Sequence, residues 1–147
     1  MRRVVVTGLG AITPLGVGTR RTWNRLLAGD SGIVSIAKSE PAPQWRELPS
    51  TVAGMVPEGS RDEGKWQASD WISKGDERRM AKFTQYAIAA TEMALQDAGW
   101  RPTKQQEKES TGVCLGSGIG NLEELYTTSV TYEKMVSQLF YQKRKFY

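Results

Sequence analysis

Apolar residues recur along this chain in two unlike rhythms. Short unbroken runs, Val4-Val5-Val6 and Val113-Cys114-Leu115, each lead into a glycine turn. Such runs predict strands buried on both faces, here over Arg3 to Thr7 and Thr111 to Leu115. Elsewhere the apolar positions step by three and four, the period of a helix with one covered face. Trp23, Leu26 and Leu27 mark one such stripe over Thr19 to Ala28, stopped by Gly29. The longest runs from about Asp76 to Ala98, with Met80, Phe83, Ala87, Ala90, Ala94 and Ala98 on one face and Ile88, Thr91 and Leu95 widening it. Alanine dominates that face, so a neighbouring element can approach it closely. Ser73 and Asp76 have capping-box spacing before it, and Gly99 closes it.

The remaining segments are weaker. Ile33 to Ile36 predicts a short strand, and Thr51 to Val56 alternates like another. Residues 37–72 are otherwise irregular, broken by Pro41, Pro43, Pro49 and Pro57. Trp100 to Ser110 is a polar connection, and a further helix is expected from Leu122 to Met135.

The 147 residues fit one domain, and 39% hydrophobic with 24% charged content is that of a folded globular chain. No run reaches the roughly 18 apolar residues of a membrane span. The first predicted strand begins almost at Met1, so no targeting segment is read before it. The net charge of +4 invites a nucleic-acid reading, but its distribution opposes one. Residues 134–147 hold Lys134, Lys143, Arg144 and Lys145 with no acid, while the rest carries sixteen groups of each sign. A basic tail is not a basic face, and nucleic-acid binding is not expected. One cysteine and no histidine leave no internal disulfide, no metal-ligand spacing and no Cys–His or Ser–His pair.

Four groups carry candidate chemistry. Gly8-Leu9-Gly10 suggests a phosphate-binding turn, but Thr13 replaces the third glycine of the dinucleotide fingerprint and Pro14 opposes helix entry, so a plain turn is the better reading. Gly116-Ser117-Gly118-Ile119-Gly120 precedes a predicted helix, and three glycines in five residues imply positive φ or close backbone contact. Cys114, between Val113 and Leu115, reads as a small buried hydrophobe rather than a nucleophile. Lys74, Arg78, Arg79 and Lys82 cluster at the start of the long helix. A solvated helix end is their plain reading. Cations there oppose the helix dipole, so an anionic partner is the alternative.

In order and spacing these features resemble the opening of the β-ketoacyl-acyl carrier protein synthases, condensing enzymes of the thiolase-like superfamily. The resemblance rests on both glycine turns, Thr22-Trp23 with Leu26-Leu27-Ala28-Gly29, Ser31-Gly32-Ile33 and Asp97-Ala98-Gly99. Val52-Ala53-Gly54-Met55-Val56-Pro57 with Asp62-Glu63-Gly64 looks most like the mitochondrial form. It implies an α/β fold: the N-terminal part of a thiolase-like layered fold, a mixed sheet with buried helices. Residues 1–133 then form an incomplete N-terminal ketoacyl synthase domain. From Lys134 the match gives way to a divergent basic tail, 134–147, as in a truncated, alternatively spliced or misread product.

The family's Ser-Lys-x-x-x-Arg-Arg/Lys-Met stretch is matched by Ser73, Lys74, Arg78, Arg79 and Met80. By resemblance Lys74, Arg78 and Arg79 contact the acidic acyl carrier protein. Gly118 and Ile119 line the acyl pocket in the same way, although the family often has glycine where Asn121 stands. The complete enzyme elongates acyl chains in fatty acid biosynthesis by decarboxylating Claisen condensation of acyl and malonyl thioesters, as a homodimer without cofactor. Its nucleophilic cysteine and two histidines have no counterparts here, so no catalytic residue and no activity are expected of this chain alone. The alternative is a non-catalytic fragment that binds carrier protein or a partner subunit. A small nucleotide-binding domain is a third, weaker reading. Location is mitochondrial by resemblance, with the cytoplasm as alternative, and no membrane partner is implied. An incomplete thiolase-like fold also leaves sheet edges and helix faces bare, so poor stability or self-association is expected.

Overall fold

The computed structural model of the chain describes residues 3–37 and 48–144. They fall into two compact units divided between Gly112 and Val113.

In the first unit, Pro14 and Leu15 turn the chain between β1 (Ile12–Thr13) and β2 (Gly16–Val17). These pair antiparallel, Ile12 opposite Val17 and Thr13 opposite Gly16. Gly16 has φ 126°, which a side chain would strain, and Thr13 Oγ1 accepts the Leu15 N–H at 3.1 Å inside the turn. Helix α1 (Thr19–Leu27) ends as a Schellman motif. Gly29, at φ 75°, donates to the Leu26 carbonyl, and Asp30 donates to the Arg25 carbonyl, both at 3.0 Å. Strand β3 (Ile33–Ser35) pairs antiparallel with β4 (Val52–Gly54), Ile33 opposite Gly54 and Ser35 opposite Val52. A single parallel bridge joins Glu58 to Trp66.

Helix α2 (Lys74–Glu77) and helix α3 (Lys82–Ala98) follow, then α4 (Gln105–Glu109). The core gathers where α3 meets the segment around Trp66. Trp66 is 2% exposed and Ala89 fully buried, with Ala68 beside them and Ile12, Val17, Val56, Trp71, Tyr86 and Met93 packed around. Tyr86 meets the Trp66 ring edge-to-face at 4.8 Å and 89°, a favoured aromatic geometry.

The alanine face of α3 is used as its composition suggests. Backbone at Gly8 and Gly10 lies directly on it. A Cβ at Gly8 would overlap the Ala94 carbonyl oxygen and stand 2.7 Å from the Ala98 Cβ; one at Gly10 would overlap the Ala90 carbonyl oxygen and stand 2.9 Å from the Ala94 nitrogen. Only glycine on one side and alanine on the other allow this approach. Between the two glycines, the Leu9 N–H donates to Asp97 Oδ2 at 2.9 Å.

In the second unit, residues 113–120 form no regular element and α5 (Leu122–Arg144) follows. Asn121 caps it: its Oδ1 accepts the Glu124 N–H at 3.2 Å, and its Nδ2 donates to Glu124 Oε2 at 3.0 Å. Asparagine here serves the helix start.

The structure departs from the sequence reading in several places. Arg3 to Thr7 and Thr111 to Leu115 are not strands, because no described segment supplies a ladder; Val4 is 99% exposed and Val113 80%. Cys114, expected buried, is exposed for the same reason. The stripe of Trp23, Leu26 and Leu27 on α1 has no cover either. The helix expected from Asp76 to Ala98 breaks between Glu77 and Lys82. Its two deepest residues, Gln85 and Ala89, lie beside the alanine face, turned toward the Trp66 core. The α/β class stands. Among the described residues, though, the sheets are two separate two-stranded antiparallel ladders rather than one mixed sheet.

Candidate functional site

The cations singled out in the sequence lie on and after the short helix α2. Ser73 starts it: its Oγ accepts the Asp76 N–H at 3.2 Å and donates to Asp76 Oδ2 at 2.8 Å. The coil closes after one turn, where the Arg79 and Met80 N–H groups both donate to the Asp76 carbonyl, at 2.9 and 3.0 Å. Ala81 then swings to ψ 150°, and α3 begins anew at Lys82. Arg78 and Arg79 therefore sit on a turn between two helices, outside the first turn of α3.

Breaking a helix strands carbonyls that need donors. Gln85 supplies them. Its side-chain Nε2 donates to the Glu77 carbonyl and to the Met80 carbonyl, each at 3.0 Å, from a residue only 5% exposed. On the outer side, Lys82 Nζ pairs with Glu58 Oε1 at 2.7 Å and ties the start of α3 to the preceding loop. Burial, and after it the Glu58 charge, raise the Tyr86 phenol above its ordinary pKa of 10.0. Lys74, Arg78 and Arg79 are exposed, and none makes an ion pair among the described residues, whereas Lys82 does. Among the described residues the cluster of four thus resolves into three cations without an ion pair and one, Lys82, that has one. Sequence reasoning missed Gln85. Its signal was a polar side chain four residues before Ala89 on a buried helical face.

The second predicted group lies in the other unit. Ile119 is 72% exposed, and Gly118 has open space where a Cβ would stand. Gly116, Gly118 and Gly120 neither adopt positive φ nor touch another element, contrary to the expectation for a glycine-dense turn. Close approach is found at Gly8 and Gly10 instead. That removes the phosphate-binding reading of Gly8-Leu9-Gly10, because the face a phosphate would need is filled by α3, and a β-hairpin rather than a helix follows the turn.

A cleft of about 750 Å³ lies between the start of α1 and α3, lined by Arg20, Arg21, Asn24, Met93 and Asp97 among others. Leu9 borders it, whereas Lys74, Arg78, Arg79, Gly118 and Ile119 do not. No described helix is long and apolar enough to cross a membrane.

An exposed turn bearing Arg78 and Arg79 thus joins α2 to α3. The family profile described as "Beta-ketoacyl synthase, N-terminal domain" matches residues 1–145, and the chain belongs to that family. It is 47% identical over 124 residues to a Schizosaccharomyces pombe protein named as a mitochondrial 3-oxoacyl-acyl-carrier-protein synthase, covering 84% of this chain and 28% of that protein. It is 42% identical to a 3-oxoacyl-acyl-carrier-protein synthase 2 of Rhizobium meliloti, covering 89% of this chain and 30% of the relative. The mitochondrial synthase of Arabidopsis thaliana is 40% identical, with 82% and 28% covered. Among solved structures, the ishigamide ketosynthase/chain length factor superposes with a TM-score of 0.51 at 31% identity, over 68% of this chain and 22% of that one. The chain thus spans under a third of the length of these relatives.

Proposed function

We propose that this chain is the N-terminal part of a 3-oxoacyl-acyl carrier protein synthase of fatty acid biosynthesis, and that its own contribution is to dock acyl carrier protein at Lys74, Arg78 and Arg79. The observation that carries the reading is that those three cations, on α2 and the turn after it, are exposed and make no ion pair among the described residues, beside a fourth that is already paired. An acidic carrier protein complements such a surface. The names of the relatives support the same chemistry, acyl transfer between carrier-bound thioesters, and two of them support a mitochondrial setting. In the complete enzyme a cysteine accepts the acyl group, malonyl-carrier protein loses carbon dioxide, and the resulting carbanion attacks the acyl thioester. Gly118 and Ile119 are proposed to wall the acyl pocket, their exposure being that of a segment awaiting its neighbours.

Residues 1–133 are proposed as the enzyme-like domain within a layered thiolase-like fold. Residues 134–147 are proposed as a divergent basic tail. A homodimer is proposed for the complete enzyme. Without histidine the 147 residues cannot assemble the decarboxylating site, so the chain by itself is proposed to bind without condensing.

Titration of the chain with purified acyl carrier protein tests the docking. Reversing both charges, Arg78→Glu with Arg79→Glu, should weaken binding by at least about tenfold at low salt and flatten its salt dependence. Equal affinity of the reversed and native chains would refute the docking surface.

A further inference from the structure

We infer that Gln85 is the residue that positions Arg78 and Arg79 for their partner, an inference that rests on the docking reading above and adds to it a buried determinant of the same surface. Gln85 has two amide hydrogens and spends both on one task. One goes to the Glu77 carbonyl, just before the arginine pair, and the other to the Met80 carbonyl, just after it. The arginine segment is therefore pinned at both ends by a single side chain that is 5% exposed and rooted in the first turn of α3. Lys82 and Glu58 brace the same junction from outside. No other described polar side chain is as buried, and its Oε1 has no partner among the described residues. Burying a half-satisfied amide is costly, yet here it fixes the backbone under two long, entropy-rich side chains. Holding that backbone in the bound conformation lowers the ordering cost of association.

The test is a double-mutant cycle on the full 147-residue chain, with purified acyl carrier protein as titrant and heat of binding as readout. The forms are the native chain, Gln85→Met, Arg78→Gln with Arg79→Gln, and all three changes together. Gln85→Met keeps the volume and removes both donors. It should weaken binding by about tenfold, the equivalent of roughly one to two neutral hydrogen bonds. In the absence of the two arginines the same change should cost nothing further, because a positioning residue acts only through what it positions. An equal loss in both backgrounds would overturn the inference and leave Gln85 a general fold residue. No effect of the arginine changes would instead remove the docking reading, a separate and distinguishable result.

Should Gln85→Met fail to fold, Gln85→Asn, whose amide is one methylene short, is followed by hydrogen exchange. The Arg79 and Met80 amides should lose protection while those of Ala89 to Ala98 keep theirs; uniform loss along α3 would overturn the positioning role.

Discussion

The contact between Gly10 and α3 makes a quantitative prediction. A methyl group added at Gly10 meets only main-chain atoms: the Ala90 carbonyl oxygen, which it would overlap, the Ala90 carbonyl carbon at 2.8 Å and the Ala94 nitrogen at 2.9 Å. No rotamer change can relieve this, since the obstructing atoms belong to the helix ladder itself. The N-terminal segment must withdraw until ordinary van der Waals spacing is restored, by more than an ångström, which forfeits about half or more of each dispersion contact along the seam. Overpacking of this kind costs about 1–3 kcal/mol. The Leu9 to Asp97 bond, at 2.9 Å and exposed, stretches with it and adds a fraction of the value of a charged hydrogen bond. Against this, alanine restricts the unfolded chain and returns about 0.4–1 kcal/mol. A net loss of about 2 kcal/mol remains for Gly10→Ala. Urea unfolding of the whole chain, followed by helical circular dichroism, measures it. Gly112→Ala is the internal control, because nothing lies within 4 Å of that position and its φ is not positive. It should be neutral or slightly stabilising. Coincident midpoints for the two variants would refute the reasoning that glycine is required at residue 10 by proximity.

Three further outcomes are expected. The Tyr86 phenol, raised by burial and then by Glu58, stays protonated in the folded chain to higher pH than in the unfolded one. Stability from this group is therefore complete below about pH 10 and is lost as pH rises from there through the folded value; Tyr86→Phe should abolish that alkaline decrement, and an unchanged alkaline limb would contradict it. Trp66→Ala empties the centre of the core and should cost about 3–5 kcal/mol, comparable with the whole stability of a small unit, so loss of the cooperative transition is expected. Cys114, exposed in the chain, should react with a thiol reagent as fast natively as in urea; strong native protection would mean that another surface covers it.

What local chemistry decides was legible in the sequence. Gly29 and Gly99 stop their helices in the left-handed conformation that only glycine adopts freely, Ser73 caps α2, and the alanines of α3 announced a close neighbour. Lys74, Arg78, Arg79 and Lys82 read as one basic cluster, and the sequence does not separate Lys82, which pairs with Glu58, from the other three. What distant neighbours decide was not legible. Val4 to Val6 and Val113 to Leu115 have strand composition, yet a strand also needs a ladder partner, and composition does not say where that partner lies. Met80 and Phe83 continue the apolar spacing through Ala81, so periodicity carried the helix across the break. Gln85 was overlooked because a lone amide within an alanine-rich helix looks like a surface residue until its two carbonyl partners are known.

The seam between residues 8–10 and α3 also sets a clock on the ribosome. The glycines emerge first, whereas their cradle is complete only once Ala98 has been made and has cleared the exit tunnel. At about 5–20 residues per second, that interval is roughly 5–20 s. Throughout it and afterwards the adjoining Val4-Val5-Val6 run stays exposed, since closing the seam does not cover it. Synthesis rate therefore sets the earliest moment at which this seam can close.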